Sequence, residues 1–468
     1  MKVTQVAIRP TPASEAAGRP SLTPELLAAS GARYSRNNEG LESILSKIDP
    51  NNLDKSVDGI FRMIDYGHQS IADMAPVAMF MDGVSLWLAY QVWALCPTAG
   101  GQESSTRYIN YSSADALNAE DFGIPEALRE DWSTRMREAL AAYESALKIW
   151  ENIAAQNPEL MRLPRALLED ESENAQKQVA RMRRNYAFDR ARNFLPVAAP
   201  TNMMMVMSAR GWVNLCQHLL SHPLPEAQKL GNLIREELPL AAPRLLKHAT
   251  APDSMRAGLK SEFKSWQKIA AQSDEAYLRA AQDAGEHPPT AFLDVFAPAN
   301  AEDNNFASDL EFHDNRYAYI GETLKRTTVR FGWEAVALAE IRDLNRHRTG
   351  TKYCPLVPCG FYAAQDQWPE GSPSALTDGC AHGQNLSQKA KDLLKEGDAS
   401  FIYWTLLGTQ YFFEHTTTAD KFIYEAELRT GTGAHFRYAK HLHDALALWF
   451  EKYPQTRGLI LEGKEEPE

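Results

Sequence analysis

The 468-residue chain runs through one order of elements twice, and no other feature restricts its possible folds as much. Each half passes from an apolar helical stretch through a polar loop ending in an aromatic residue and a helical middle. A second apolar segment and a small-residue turn then lead into a long helix. The turn is Ser208-Ala209-Arg210 in the first half, with Asn214 one helical turn later; in the second it is Thr418-Ala419-Asp420, with Arg429 nine residues beyond. The stretch ending at Ala94-Leu95-Cys96 aligns with the one ending at Arg346-His347-Arg348. Length by itself gives a prior of about two to three domains. The repeat divides the chain into a first domain at 1–250, a helical linker at 251–310 and a second, more divergent domain at 311–468.

Totals narrow the chemistry. With 44% hydrophobic and 24% charged residues the chain is globular rather than disordered. A net charge of -12 and a pI near 5.6 give no broad attraction for a polyanion, so nucleic acid is not an expected partner and any phosphate site must be a local basic pocket. Met1-Lys2-Val3-Thr4 opens no apolar core of signal-peptide length, and no run approaches ~18 apolar residues, so the expectation is a cytoplasmic protein without a membrane partner. Cys96, Cys216, Cys354, Cys359 and Cys380 are scattered without paired C-x-x-C spacing, which argues for reduced thiols and against a disulfide framework or a metal site.

Taken in order, residues 1–20 read as a partly ordered arm, with folding starting near Leu22. Helices are expected at 41–48 and 57–66, a short strand at 77–81 and a buried helix at 84–95. A polar loop covers 97–111, within which Glu103, Ser105 and Arg107 alternate and so face one side. That trio offers donors to a phosphate and an acceptor to a hydroxyl or amide, or it is an exposed loop salt bridge. Helices follow at 126–156 and 172–193, a Met-rich core segment at 202–208 and a helix at 211–220. A charged amphipathic helix is expected at 260–281, and Pro288-Pro289 with Pro298 marks 285–305 as linker. Trp333, Ala337, Ile341 and Leu344 recur at helical spacing, so the run before Arg346-His347-Arg348 reads as an amphipathic helix that Gly350 ends. Residues 363–399 read as a polar insertion followed by a short basic helix. The three adjacent cations are then either a basic C-cap or an anion clamp for a phosphate or a reduced, negatively charged ring.

These residues resemble the flavin-dependent thymidylate synthases, whose hallmark is R-H-R, seven variable residues, then Ser. The first half is similar to a whole family subunit. It has Ala32-Arg33-Tyr34-Ser35, Gly67-His68-Gln69-Ser70, Gly83-Val84-Ser85, Gln91 and Glu103-x-Ser105-x-Arg107-Tyr108. Arg192-x-x-Leu195-Pro196 and Ser208-Ala209-Arg210 with Asn214 follow in family order. The second half rests chiefly on Arg346-His347-Arg348 and Arg429. The departures are complementary: the first half has Ala94-Leu95-Cys96 for R-H-R, and the second has Cys354-Pro355-Leu356-Val357-Pro358 for E-x-S-x-R. The arginine kept at Arg192 falls near Ile402 in the second half, and the late arginine kept at Arg429 falls near Leu219 in the first.

The resemblance implies an α+β fold of two tandem domains, each a small, mostly antiparallel sheet packed with long helices. Together they form a pseudo-dimer with one complete and one dead site. It implies methyl transfer from methylenetetrahydrofolate to C5 of dUMP with FAD, NADPH serving as reductant, on a small-molecule nucleotide, by a homodimer of pseudo-dimers. Arg429 would face the pyrimidine, with Arg346 and His347 beside it as catalytic residues. Glu103, Ser105, Arg107, Arg192 and Asp343 would hold the nucleotide. Ser70, Glu103, Arg210, Asn214, Arg346, His347 and Arg348 would hold the flavin. Asp343 stands where the family has a glutamine, which leaves open a different pyrimidine or heterocycle; a flavin- or nucleotide-binding homologue without turnover is the third reading.

Overall fold

The computed structural model describes residues 1–36, 38, 40–49, 51–65, 68–107, 109–112, 117–273, 290–298, 306–431 and 433–463. The chain folds into two compact units. The first comprises Met1–Ser104, Asp121–Gly123 and Pro200–Phe263; the second comprises Ser105–Glu120, Ile124–Ala199 and Lys264–Glu468. The helical middle of the first repeat, Arg129–Gln156 and Glu173–Ala191, therefore belongs to the second unit.

The first unit holds a four-stranded antiparallel sheet of β1 (Lys2–Val6), β2 (Pro76–Ser85), β3 (Gly100–Glu103) and β4 (Pro200–Ser208) in the order β1-β2-β4-β3. The N-terminus is not the partly ordered arm expected from its composition. Val3 is buried, Lys2 to Val6 pair with β2 from Asp82 to Ala78, and the Gln5 N–H donates to Glu237 at 2.7 Å. Alternation in Lys-Val-Thr-Gln-Val was the available strand signal. The expected helix at 84–95 begins later, at Leu86, because Val84 and Ser85 still pair with β4. The Ser85 hydroxyl caps that helix through the Leu88 N–H at 3.0 Å. The loop at 97–111 contains β3, and the Met-rich segment is β4, with Met203, Met205 and Met207 buried.

The second unit holds β5 (Ala291–Phe296), β6 (Thr328–Ala337), β7 (Thr351–Tyr353), β8 (Gly360–Phe361) and β9 (Thr409–Thr418). Their order is β5-β6-β9-β7, with β8 also on β9. This is the strand order of the first sheet. Pro76 pairs with Ser208 as Thr328 pairs with Thr418, and both long pairs carry a register shift, at Asp82/Val84 and at Trp333/Val336. The Ala209 N–H reaches the Ala75 carbonyl and the Ala419 N–H the Thr327 carbonyl, each at 2.8 Å. The chain is α+β, with two antiparallel sheets clothed by long helices.

Three expectations for this unit change. The helix predicted through Trp333 and Ala337 is strand β6; only Leu338–Leu344 is helical. A spacing of four residues serves a two-residue period as well as a helical one, so Trp333 and Ala337 are both buried either way. The basic helix is 23 residues long, Ser374–Glu396, and runs through Gly379 and Gly383. Those glycines do not break it: they admit Phe194 and Phe361, whose rings a Cβ would meet. Within the stretch read as linker, Ala291–Phe296 is β5, while 285–289 and 299–305 lie outside the described residues. The charged helix spans Asp253–Gln272, and 274–281 are likewise outside them.

Gly350 does not end a helix; it turns the chain into β7 at φ +63°, where a Cβ would run into the Thr416 carbonyl oxygen. Gly350→Ala is expected to destabilise the protein by about 1–3 kcal/mol, read as a lower denaturant midpoint with an unchanged slope.

Candidate functional site

The sequence reading puts the sharpest basic run in the last turn of a helix ended by Gly350, whereas the structure puts it beyond the end of a short one. The helix Leu338–Leu344 ends at Asn345, and the chain continues as a tight turn in which the Arg346 and His347 N–H groups reach the Asp343 and Leu344 carbonyls, both at 3.2 Å. The cations are thus one step beyond the last helical turn. Asp343 faces inward at 5% exposure. Its Oδ2 accepts from Arg192 Nη2 at 2.9 Å, and its Oδ1 lies 3.5 Å from Arg346 Nη2. Burial alone would raise the Asp343 carboxyl, but Arg192, Arg346 and Arg429 outweigh it and hold it well below the usual carboxylate range.

A second buried carboxylate repeats the device. Arg107 Nε and Nη2 fork onto the two oxygens of Asp189, both at 2.6 Å, and Arg107 Nη1 donates to the Gly433 carbonyl at 3.1 Å. Burial opposes the charge on Asp189, and Arg107 chiefly overcomes it, keeping the carboxyl ionised. His435 lies against the same residue: its Nε2 donates to the Asp189 carbonyl at 3.2 Å, and its Nδ1 accepts from the Arg437 N–H at 3.2 Å. With one nitrogen donating and the other accepting, the ring is neutral, and burial, reinforced by Arg192, pushes its pKa down to about 3.

His347 is neutral for a related reason. Arg429 Nε donates to His347 Nε2 at 2.6 Å, and a guanidinium can only donate, so that nitrogen carries the lone pair. Burial pushes the His347 pKa down to about 4; Glu425 opposes this and Arg429 adds to it. Lys352 Nζ donates to the His347 carbonyl, and the buried Glu425 lies 3.1 Å from His415. Arg429 also stacks 5.4 Å from the Tyr438 ring centroid. No carboxylate among the described residues lies within ion-pair distance of Arg429, so this half-buried guanidinium keeps its positive charge uncompensated at close range.

The second unit therefore brings together Arg107, Arg192, Asp343, Arg346, His347 and Arg429 through these pairings. Ser105 precedes Arg107, and its hydroxyl accepts from the Arg107 N–H at 3.2 Å. Arg348 is half-buried beside them in sequence, and Leu356, which takes the place of the serine after R-H-R, is buried. In the first unit, Ser70 is exposed at the start of Ser70–Asp73, and Asp73 of that turn pairs with Arg210 at 2.9 Å. Asn214 is exposed on the helix Ala209–Ser221, and Glu103 ends β3 opposite Met203. Gly67 and Tyr108 of the sequence motifs lie outside the described residues. Cys96 is buried and Cys354 half-buried. No helix among the described residues is long and apolar enough to cross a membrane, and none of their His, Cys, Asp and Glu side chains gather into a metal-holding group.

Sequence reasoning missed Asp189, Glu425, His415 and His435. Asp189 stands three residues before Arg192, an acid one helical turn from a buried base, and that spacing was a usable signal. The Arg437 contact of His435 is local, but nothing local marks its tie to Asp189, 246 residues earlier.

Residues 21–244 match the family model described as Thymidylate synthase complementing protein. That stretch is similar to the flavin-dependent thymidylate synthases. The family match spans Ser70, Glu103, Ser105, Arg107, Arg192, Arg210 and Asn214 and stops before Arg346. UPF0159 protein Ta1429 of Thermoplasma acidophilum is 27% identical over 235 residues, 47% of this chain and 47% of that protein, so the match spans about half the length of the curated relative. Two solved structures are similar at 16% identity. One is the flavin-dependent thymidylate synthase ThyX from Helicobacter pylori complexed with FAD and dUMP, with a TM-score of 0.33 over 53% of this chain and 100% of that one. The other is the UMP/dUMP methylase PolB from Streptomyces cacaoi bound with 5-Br dUMP, with 0.31 over 54% and 97%.

Two outcomes follow from the buried charges of the second unit. Asp343→Ala leaves Arg192 buried without its carboxylate and is expected to cost about 3–5 kcal/mol, whereas replacing Arg192 and Asp343 together by apolar residues recovers most of that loss in equilibrium unfolding. Unfolded, His347 and His435 take a proton near 6.5; folded, only near about 4 and about 3. Between those limits the unfolded chain binds more protons, so stability is full above pH 6.5 and declines as pH falls toward 4. Melting temperatures across that window should drop for the wild type and drop less for His435→Gln; equal slopes would remove His435 from the account.

Proposed function

We propose that the chain is a flavin-dependent methyltransferase that moves a one-carbon unit from methylenetetrahydrofolate to C5 of dUMP, with NADPH as reductant. The observation that carries this reading is the Arg429 guanidinium, aimed by a neutral imidazole and left without a close carboxylate. When C5 of a pyrimidine attacks, negative charge develops on the N3 and O2 side of the ring, and a fixed, partly desolvated guanidinium stabilises it. Arg429 takes that role, with His347 as the acceptor that aims it. FAD, when bound, supplies the hydride. The residues fit that group: Arg210 is held in place by Asp73 while remaining partly exposed, and the exposed Asn214 amide has no protein partner among the described residues. Ser70, Glu103, Arg210 and Asn214 from the first repeat and Arg346, His347 and Arg348 from the second are its holders by the family pattern.

The composite reading, in which Glu103, Ser105, Arg107 and Arg192 of one repeat complete the R-H-R of the other, is supported by Asp343, which pairs with both Arg192 and Arg346. It treats the chain as a tandem pseudo-dimer with one working site, which pairs with a second copy in the cytoplasm. A different pyrimidine or heterocycle is the second reading, favoured by Asp343 in the glutamine position and by the carboxylates already occupying Arg107 and Arg192.

Purified protein should carry a flavin spectrum and titrate to one FAD per chain; two per chain would end the single-site reading. Under anaerobic conditions NADPH should bleach the flavin, and adding dUMP with methylenetetrahydrofolate should reoxidise it with release of thymidylate. Reoxidation without a methylated product would favour the second reading. Arg429→Ala should lose about 2–4 kcal/mol of transition-state stabilisation, seen in single-turnover methyl transfer, and unchanged turnover would remove Arg429 from the mechanism.

A further inference from the structure

The first unit contains a cavity of about 640 Å³ that shares no residue with the Arg346–Arg429 group. Its walls come from the helices Leu53–Asp65 and Pro225–Glu237 and the turn segment Pro243–His248. That segment is anchored: Gln217 donates to the His248 carbonyl at 2.9 Å, and Leu245 is buried. Arg244 stiffens the same wall, with Nε, Nη1 and Nη2 donating to Asp58, Glu25 and Asp54, each at 2.6 Å. The volume falls within the ~300–1,000 Å³ of small-molecule sites.

The lining is two-sided in character. Phe61, Ile64 and Leu245 supply an apolar wall, and Arg62, Arg235 and Lys247 supply positive charge. Arg62 and Arg235 are exposed, and neither has a carboxylate within ion-pair distance among the described residues. Asp58 is the one acidic side chain among the lining residues, and it is already engaged by Arg244. Cations converging on a concavity repel one another, and low-dielectric walls focus their potential. In a chain of net charge -12 such a spot is not part of a general basic surface.

We propose that this cavity binds a phosphorylated ligand of nucleotide size, its ring against the Phe61 wall and its phosphates at Arg62 and Arg235. The test uses the full-length protein with excess FAD, so that any flavin site which recognises adenosine diphosphate is already filled, and titrates ADP and adenosine calorimetrically. ADP should bind, weakening as salt rises, and adenosine should bind at least about tenfold more weakly, the difference expected for charge-assisted phosphate contacts. Arg62→Gln and Arg235→Gln should each weaken ADP by about tenfold with an unchanged melting temperature, while Arg346→Gln leaves its affinity as it was. No ADP binding, or ADP binding that ignores both cavity replacements, would overturn the proposal.

Discussion

Two buried carboxylates organise the second unit. Asp189 and Asp343 stay ionised only because Arg107 and Arg192 reach them, and each pair joins stretches far apart in sequence or in fold. A lone carboxylate so placed would cost several kcal/mol or take up a proton, so the arginines depend on the acids as much as the acids depend on them. What remains is a local charge pattern: two neutralised cations inside, and Arg346 and Arg429 left with charge to present. His347 and His435, both held neutral, separate these functions without adding charge of their own.

Much of this was legible. The resemblance implied two small antiparallel sheets, and the strand orders, the paired register shifts and the matching Ala209 and Ala419 bonds give both sheets one topology. Long helices were readable from periodicity. Where period and spacing were ambiguous, reading failed: Trp333 and Ala337 satisfy a strand as well as a helix, and Gly379 and Gly383 signal close packing as well as a break. The candidate site was half legible. Motif residues could be named, but the partners that fix their charge, Asp189 and His435 above all, are set by contacts that no short pattern records.

The aspartate in place of a glutamine now has a physical setting. A neutral amide could accept from both Arg192 and Arg346 but would bring no charge to offset theirs. Asp343 ties one inward and leans on the other, so the change is coupled to the arginines rather than confined to one contact. Specificity at such a position is a property of the network.

The membership of the second unit has a consequence for how the chain is made. Trp132 donates to the Tyr403 carbonyl, Leu407 to that of Leu195 and Gly408 to that of Asn193, and Phe194 packs on Gly379. On the ribosome, Arg129–Gln156 and Glu173–Ala191 emerge some two hundred residues before the segments that cover them. At ~5–20 residues per second, these helices can pack on each other, as Trp150 does on Tyr186, but wait on the order of ten seconds or more for the segments that cover Trp132 and Phe194. The first repeat cannot finish folding when its own last residue leaves the tunnel; synthesis of the second repeat is part of its folding reaction.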